Sequence, residues 1–293
     1  MDPRARVIHH MAALDGAQPP NSLEAVRACL EAGATTIEID AAALAGEDFL
    51  VVHDLDLASQ TTGTGLAREM AIGQARDLRM KRKDGTVTDY PVPLLSEVIA
   101  LLLQYEDTRL QIDLKDERPY ENEEPILRLA QIVLPAEGRV IVSSMADWQL
   151  RRIAKFAPWL ELGFDPGFYL AWWQDYVDLA LPPHRMGAYG YLDDQPLAAE
   201  RVWPVDRYLA ERAEVLLHQV PGITTFYAYH GLLAKCLDDG FNWAEACRDA
   251  GITLDAWTID IGRPGMEERV RRLHEAGVDL FTTNTPRELA ALL

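Results

Sequence analysis

Short apolar runs alternate with longer amphipathic stretches along most of the chain. Eight runs of about five to seven residues, rich in β-branched and aromatic residues, predict strands. They lie at residues 6–10, 35–40, 109–115, 139–144, 160–165, 224–230, 254–260 and 279–284. Between most of these runs, apolar positions recur with the 3.6-residue period of a helix that covers one side of a sheet. The alternation predicts βα units, which build a parallel sheet.

Several predicted helices carry the residues that helix ends favour. Ser22 can cap the start of SLEAVRACLEAG, and Gly33 can end it. Pro93 and Pro286 open two further helical stretches, where the missing proline N–H is harmless. Eight strands with helices between them in a chain of 293 residues predict an α/β fold, the (β/α)8 TIM barrel.

Two stretches interrupt this rhythm. Residues 41–92 are long for a βα loop and contain an apolar run that ends at His53, so we interpret them as an insertion that brings His53 over the barrel mouth. Residues 166–223 have few strand signals and predict an aromatic lid or wall beside the site. Its aromatic residues include Trp172, Trp173, Tyr176, Tyr189, Tyr191 and Trp203. No linker separates either insertion, so residues 1–293 are predicted to form a single domain.

Polar side chains stand where the first three predicted strands end. They are His9 and His10, Glu38 and Asp40, and Asp113 and Lys115. Barrel enzymes carry their reactive groups at this end of the strands. Side chains alternate between the two faces of a strand, so Glu38 faces the same way as Asp40, and Asp113 faces the same way as Lys115. The same alternation turns His9 away from His10 and predicts a structural role for His9.

Three of these side chains are carboxylates, which suggests a metal site. A single acid at a strand end is usually solvated, but Glu38, Asp40 and Asp113 together would repel one another without a cation. An all-oxygen set suits Mg²⁺ or Ca²⁺ better than zinc. Lys115 could contact a phosphate oxygen or could pair with its acidic neighbours, and the sequence leaves both alternatives open.

Composition limits the partners. A formal charge of −18 at pH 7 argues against nucleic acid and anionic membranes, so phosphate chemistry would need local cations or a metal. Three widely spaced cysteines, Cys29, Cys236 and Cys247, are predicted to be buried thiols. No apolar run approaches the roughly 20 residues that span a bilayer, and no signal sequence is evident, so a cytoplasmic location is predicted.

Two histidines beside a metal site provide what cleavage of a phosphodiester needs. One can deprotonate the attacking hydroxyl or water, and the other can protonate the leaving alkoxide. His10 and His53 are predicted to form this catalytic pair. For the remaining histidines, His184, His218, His230 and His274, an ordinary surface or hydrogen-bonded role is expected.

At these positions the chain resembles the glycerophosphodiester phosphodiesterases. The family pattern contains His-Arg-Gly, Pro-Glu-Asn-Thr, Glu-x-Asp, Val-x-x-His-Asp with a Thr-x-Gly-x-Gly tail, Glu-x-Lys and a closing Gly-Val-Asp-x-x-x-Thr-Asp-x-Pro. The corresponding segments here are HMA at 10–12, PPNSLEAV at 19–26, EAGATTIEID at 31–40, VVHDLDLASQTTGTG at 51–65, LQIDLK at 110–115, AWTID at 256–260 and GVDLFTTNTP at 277–286. The similarity extends from residue 7 to residue 286 and is weak through 166–223.

The resemblance implies a role for each matched position. His10 and His53 correspond to the two catalytic histidines of the family, and Glu38, Asp40 and Asp113 to the ligands of one divalent cation. Asp113 is shorter than the usual glutamate. The implied activity is hydrolysis of a phosphodiester to an alcohol and a phosphomonoester, in lipid metabolism.

Four departures from the pattern bear on the substrate. Met11 replaces the arginine that helps to hold the phosphate, Ala12 a glycine, Pro20 a glutamate and Asn284 an aspartate. Loss of a bidentate phosphate donor should weaken binding by about 1.5–3 kcal/mol if nothing replaces it. Arg185 or another arginine of the 166–223 insertion is a candidate replacement.

Two functions are compatible with these residues. The first is a metal-dependent phosphodiesterase for a glycerophosphodiester-like or sugar-containing diester, whose bulkier alcohol would stack on Trp172, Trp173, Tyr176 and Trp257. Those aromatic residues could equally pack the insertion against the barrel. The second is a catalytically weakened barrel that binds a phosphorylated ligand without turnover. We favour the enzyme, because both histidines, the three acids and the lysine are present together.

Overall fold

The computed structural model describes residues 3–82, 84–170 and 204–293. The strands are β1 (Val7–His9), β2 (Thr36–Ala43), β3 (Phe49–Leu50), β4 (Arg79–Lys81), β5 (Val87–Pro91), β6 (Arg109–Leu114), β7 (Val140–Ser144), β8 (Glu161–Phe164), β9 (Ile223–Tyr229), β10 (Thr253–Ile259) and β11 (Leu280–Thr283). The α-helices are α1 (Leu23–Glu31), α2 (Ile72–Ala75), α3 (Leu95–Leu102), α4 (Glu124–Val133), α5 (Asp147–Phe156), α6 (Val205–Leu217), α7 (His230–Asp238), α8 (Trp243–Asp249), α9 (Met266–Glu275) and α10 (Pro286–Leu292). Short 3₁₀ turns are Pro3–Arg6, His10–Ala12, Ala67–Glu69 and Leu134–Ala136.

Eight of the strands close into a parallel barrel. In spatial order they are β1, β2, β6, β7, β8, β9, β10 and β11, and β11 pairs back onto β1. Each of the eight apolar runs found in the sequence forms one of these strands, so the predicted (β/α)8 barrel is confirmed. None of the helices in the described ranges is long and apolar enough to cross a lipid bilayer.

The ends of some elements differ from the sequence-based prediction. β1 stops at His9, and His10 begins a 3₁₀ turn instead of ending the strand. β2 continues to Ala43, because its last residues pair with β3 in an antiparallel arrangement that the local pattern does not show. Pro93 lies before the N-cap of α3 instead of opening the helix, whereas Pro286 is the first residue of α10 as expected.

The main core lies between the barrel and its helices. The Phe226 ring stacks on the indole of Trp243 at a centroid distance of 5.1 Å, which ties β9 to α8. Both rings are at least 98% buried, and burial of apolar side chains of this size stabilises the fold by about 1.5–3 kcal/mol each. The three cysteines are free and buried, as predicted.

Residues 41–92 carry a smaller core of their own. The hairpin of β4 and β5, the loop after β3 and α2 bury a separate apolar cluster against the end of β2. Its buried members are Ala42, Leu44, Leu50, Val52, Leu57, Ala67, Ala75, Leu78, Met80, Val92 and Leu94. Because this cluster is anchored on a barrel strand, the insertion is built onto the mouth of the barrel. That residues 1–293 form a single domain stays a prediction.

Gly33 allows a test of the turn that follows α1. Its φ of +73° is in the left-handed region, and nothing lies within 4 Å of an added Cβ, so Gly33→Ala should introduce backbone strain without a clash. We expect the free energy of unfolding to fall by about 1–2 kcal/mol in urea titrations. The control is Gly73→Ala in α2, where space is equally open and φ is not in that region. That change should be neutral or stabilising, and equal losses in both variants would contradict the prediction.

Candidate active site

A cavity of about 580 Å³ opens at the carboxyl ends of the barrel strands. It is lined by His10, Glu38, His53, Asp54, Leu55, Gln111, Asp113, Lys115, Glu117, Ser143, Met145, Asp165, Tyr227, Trp257, Thr258 and Thr282. Most of the candidate residues identified from the sequence are therefore in one place. This end of the barrel is where reactive groups from different strands can converge.

The three acids are brought together by strand register. In the parallel pairing of β2 with β6, Asp40 lies opposite Asp113 and Glu38 opposite Gln111. One carboxylate oxygen from each of Glu38, Asp40 and Asp113 lies within 4.8 Å of the other two. Glu38 is 3% exposed and Asp40 is fully buried. The predicted cluster is therefore a compact set of oxygen atoms.

Each carboxylate is oriented by a donor from another segment. The backbone N–H of Met11 donates to Glu38 Oε2 at 2.6 Å. Asn21 Nδ2 donates to Asp40 Oδ2 at 2.7 Å. Ser143 Oγ donates to Asp113 Oδ1 at 3.1 Å, so the positions of all three acids are set by contacts beyond their own strands.

Lys115 supplies positive charge inside the cluster. Its Nζ lies 2.9 Å from Asp40 Oδ1 and 2.5 Å from Asp113 Oδ2. Burial lowers the pKa of Lys115, but the carboxylates of Asp113, Asp40 and Glu38 outweigh it and hold that pKa well above its ordinary value. Burial and the charges of Asp40 and Asp113 raise the pKa of Glu38. One ammonium group therefore does not balance three carboxylates.

The donor set fits a hard divalent cation. Asp40 Oδ1 is buried and accepts no aligned hydrogen bond, although the Lys115 ammonium group lies beside it. Oxygen ligands from three carboxylates are those that Mg²⁺ and Ca²⁺ prefer, and a cation would offset the uncompensated negative charge. The cluster could thus bind a metal ion through Glu38, Asp40 and Asp113.

His10 is held by a chain of hydrogen bonds. Its Nδ1 lies 2.9 Å from Asn284 Oδ1, and Asn284 Nδ2 donates to Asp260 Oδ1 at 2.9 Å. The Asp260 carboxylate, paired with Arg263, only accepts, so the amide nitrogen faces Asp260 and the amide oxygen faces His10. His10 Nδ1 then carries the proton, by assignment from this network. Burial lowers the pKa of His10, so the neutral ring with a free Nε2 is favoured.

His53 is oriented by a carboxylate. Its Nδ1 lies 2.7 Å from Asp54 Oδ1, and the side chains of both residues are 43% exposed. Ser59 Oγ donates to the other oxygen of Asp54 at 2.6 Å. Burial alone would raise the pKa of Asp54, but the hydrogen bonds from Ser59 and His53 lower it, so Asp54 is charged. His53 Nε2 remains available to the cavity.

His9 occupies a different environment. Its Nδ1 lies 2.9 Å from the carbonyl oxygen of Ala13 and 3.5 Å from Cys29 Sγ, away from the cavity lining. Burial lowers its pKa. Within the described residues His218, His230 and His274 also lie outside the cavity lining, and His184 falls outside those residues.

Of the aromatic residues expected beside the substrate, Trp257 lines the cavity. Trp172, Trp173 and Tyr176 lie outside the described residues, as does Arg185. The stacking surface predicted from those residues stays a prediction.

The sequence interpretation missed several groups in the cavity. Burial raises the pKa of Asp165 to about 8, and the charge of Asp113 adds to the effect. Asp165 ends a predicted strand, so the rule that selected Glu38 and Asp113 could have found it. Tyr227 belongs to β9, and Gln111 precedes Asp113 by two residues on the same face, so alternation along a strand was the available signal. Asn284 also ends a predicted strand and was identified only as a departure from the family pattern, whereas Asn21 carried no such local signal.

Comparison with known proteins gives consistent results. Residues 13–288 match the model of the glycerophosphoryl diester phosphodiesterase family. A glycerophosphodiester phosphodiesterase of Caldanaerobacter subterraneus subsp. tengcongensis is 25% identical over 94% of this chain and 92% of its own. A phosphodiesterase of Oleispira antarctica, solved with the product sn-glycerol-3-phosphate, is similar in fold, with a TM-score of 0.64, 18% identity and coverage of 98% and 96% of the two chains. A glycerophosphodiester phosphodiesterase from Parabacteroides distasonis gives a TM-score of 0.64 at 19% identity, with coverage of 98% and 95%.

Cation binding can be measured without any substrate. Mg²⁺ or Ca²⁺ should raise the thermal unfolding temperature, because a ligand that binds only the folded state stabilises it by about 2.7 kcal/mol at a hundred times its Kd. Asp40→Asn should remove most of this increase, since the buried Oδ1 then carries no charge. The matched control is Asp77→Asn, an exposed acid in the 41–92 insertion. An equal response to cation in wild type and Asp40→Asn would contradict the assignment.

Asp255 should make stability depend on pH. It is fully buried beside the Thr282 hydroxyl, and burial raises its pKa to about 7. The folded state therefore holds a proton that the unfolded state releases near pH 4, and stability falls as the pH rises from about 4 to about 7. Asp255→Asn should raise the free energy of unfolding above that of wild type by roughly 1–4 kcal/mol between pH 5 and pH 8. The measurement is urea unfolding in EDTA. A difference independent of pH, as expected of the control Asp77→Asn, would disprove this.

Proposed function

The chain belongs to the glycerophosphoryl diester phosphodiesterase family, whose members are phosphoric diester hydrolases, and from this premise we propose a metal-dependent two-histidine reaction. The substrate is a glycerophosphodiester-like or sugar-containing diester, and the products are an alcohol and a phosphomonoester. The observation that carries the proposal is that His10 and His53 border the same cavity as the carboxylate cluster, each with Nδ1 engaged. Their Nε2 atoms are left to exchange protons with the substrate.

The two histidines divide the proton transfers. One takes the proton of the attacking hydroxyl or water, and the other gives a proton to the departing alkoxide oxygen. If the attacking hydroxyl belongs to the substrate, a cyclic phosphodiester forms first and the two histidines exchange roles when water opens it. Asn284 and Asp54 hold the rings in the tautomer that leaves Nε2 free.

Positive charge for the phosphate comes from two sources in this proposal. A divalent cation held by Glu38, Asp40 and Asp113 would neutralise charge on the phosphoryl oxygens. Lys115 Nζ donates to Asp113 Oδ2 and lies beside Asp40 Oδ1, and because an ammonium group has three N–H donors, it can also donate to a phosphate oxygen. In this proposal Lys115 therefore has both roles that the sequence left open.

The alcohol on the far side of the phosphate would lie against Trp257. The indole of Trp257 packs against the Tyr229 ring at a centroid distance of 5.6 Å and an angle of 53°, which supports the indole from behind. A flat apolar face suits a pyranose or a glycerol backbone. The cytoplasmic location and the absence of a nucleic-acid partner stay predictions from the charge and the sequence.

Turnover of a diester panel tests the proposal. Glycerophosphocholine, a sugar-containing glycerophosphodiester and an aryl phosphodiester are incubated with Mg²⁺ or Ca²⁺, and phosphomonoester release is followed by ³¹P NMR. We expect turnover of at least one member, its loss with EDTA, and a fall in kcat of roughly 10²–10⁴ for His10→Ala.

His218→Ala is the matched control, because the side chain of His218, the residue after α6, is 67% exposed and contacts Glu214 of that helix, outside the cavity lining. It should keep wild-type kcat. Absence of turnover across the panel, with ligand binding preserved, would instead support the catalytically weakened binding protein. Turnover that EDTA leaves unchanged would remove the metal from the proposal.

A further inference from the structure

A second cleft adjoins the active-site cavity. It has a volume of about 180 Å³ and is lined by Leu55, Leu66, Ala67, Arg68, Glu117 and Arg118. Leu55 and Glu117 also line the larger cavity, so the two spaces share a wall. We propose that this cleft, here called the arginine cleft, binds an anionic group carried by one alcohol of the diester; the inference rests on the proposed function and specifies its substrate class.

The arginine cleft is within reach of the reacting groups. Leu55 follows His53 by two residues, and Glu117 follows Lys115 by two residues. Two residues of extended chain span roughly 7 Å. A substituent a few bonds from the phosphorus atom can therefore reach the cleft while the phosphate lies beside Lys115.

The backbone around Arg68 is fixed relative to His53. Arg68 lies in the 3₁₀ turn Ala67–Glu69, and Ala67 N donates to the carbonyl oxygen of Leu55 at 3.1 Å. An isolated bridge between Asp56 and Leu66 adds a second connection. The guanidinium group of Arg68 is thus carried by the same loop unit that positions His53.

Arg118 approaches the cleft from the barrel. It follows the end of β6, and its carbonyl oxygen accepts a hydrogen bond of 3.0 Å from the buried Gln149 side chain. The two arginines therefore come from separate, anchored segments that meet at one cleft. This arrangement suits a ligand that lies between them.

Neither guanidinium group has a close partner within the part of the chain that the structure describes. The positive charge of Arg68 acts on Asp116, whose carboxylate already accepts hydrogen bonds from Ala43 N and the Tyr120 hydroxyl. The lining carries two positive charges and the single negative charge of Glu117, in a chain of net charge −18. Guanidinium groups bind carboxylates and phosphates through paired N–H donors. An anionic substituent is therefore the chemistry that the cleft can recognise.

Matched substrates separate the two anions that could occupy the cleft. Glycerophosphoserine differs from glycerophosphoethanolamine by a carboxylate, and glycerophosphoinositol 4-phosphate differs from glycerophosphoinositol by a phosphate. We expect the anionic member of at least one pair to have the higher kcat/KM. Arg68→Ala and Arg118→Ala should each lower that kcat/KM about tenfold or more, with about a twofold change or less for the partner that lacks the added carboxylate or phosphate.

Arg76→Ala is the charge-matched control. Arg76 is exposed in the same insertion and lines neither cavity, so its loss should leave both members of a pair unchanged. Equal losses for both members in the Arg68 and Arg118 variants would show that the arginines hold the common phosphate and would overturn the proposal. If Arg76→Ala lowered kcat/KM for the anionic substrate by the same factor, the effect would come from net charge alone, and this result would also overturn the proposal.

Binding measurements test the arginine cleft independently of turnover. In the His10→Ala background, calorimetric titration of each pair should show tighter binding of the anionic member, and Arg68→Ala should abolish the preference. This result would support the arginine cleft even if no diester were hydrolysed. Equal or absent binding of both members in each pair would overturn it, whereas absence of turnover alone would contradict only the proposed function.

Discussion

Three carboxylates share one ammonium group at the mouth of the barrel, and the surrounding structure is organised by that imbalance. Strand pairing between β2 and β6 places Asp40 beside Asp113, and Lys115 lies between their oxygens. Groups held this close and this deeply buried are stable only with directed donors and a compensating cation. The donors come from three segments: the turn after β1, the loop before α1 and strand β7. Local backbone conformation is adjusted to provide them, since both Met11 and Asn21 have positive φ.

The two histidines differ in what holds them. His53 contacts a carboxylate directly, whereas His10 contacts an amide that is itself anchored by a carboxylate. A carboxylate neighbour stabilises an imidazolium ion more than a neutral amide does. The replacement of an aspartate by Asn284, which looked like a loss when judged against the family pattern, thus makes the two rings chemically unequal.

Much of the fold could be predicted from the sequence because it depends on local periodicity. The βα alternation identified all eight barrel strands, and the position of polar residues at strand ends identified the carboxylates and His10. The extension of β2 could not be predicted, since it depends on pairing with β3. The contact between His10 and Asn284 joins residues 274 positions apart, and no local pattern reports such a pair. The arginine cleft is likewise formed by two segments that are separate in sequence.

Residue 11 contributes to the carboxylate cluster through its main chain alone. The N–H of Met11 orients Glu38, and every amino acid except proline offers that donor. The side chain at this position can therefore change without loss of that donor, within the limits that the positive φ of residue 11 sets. Position 11 can thus exchange its side chain by a single substitution while the main-chain donor that orients Glu38 is kept.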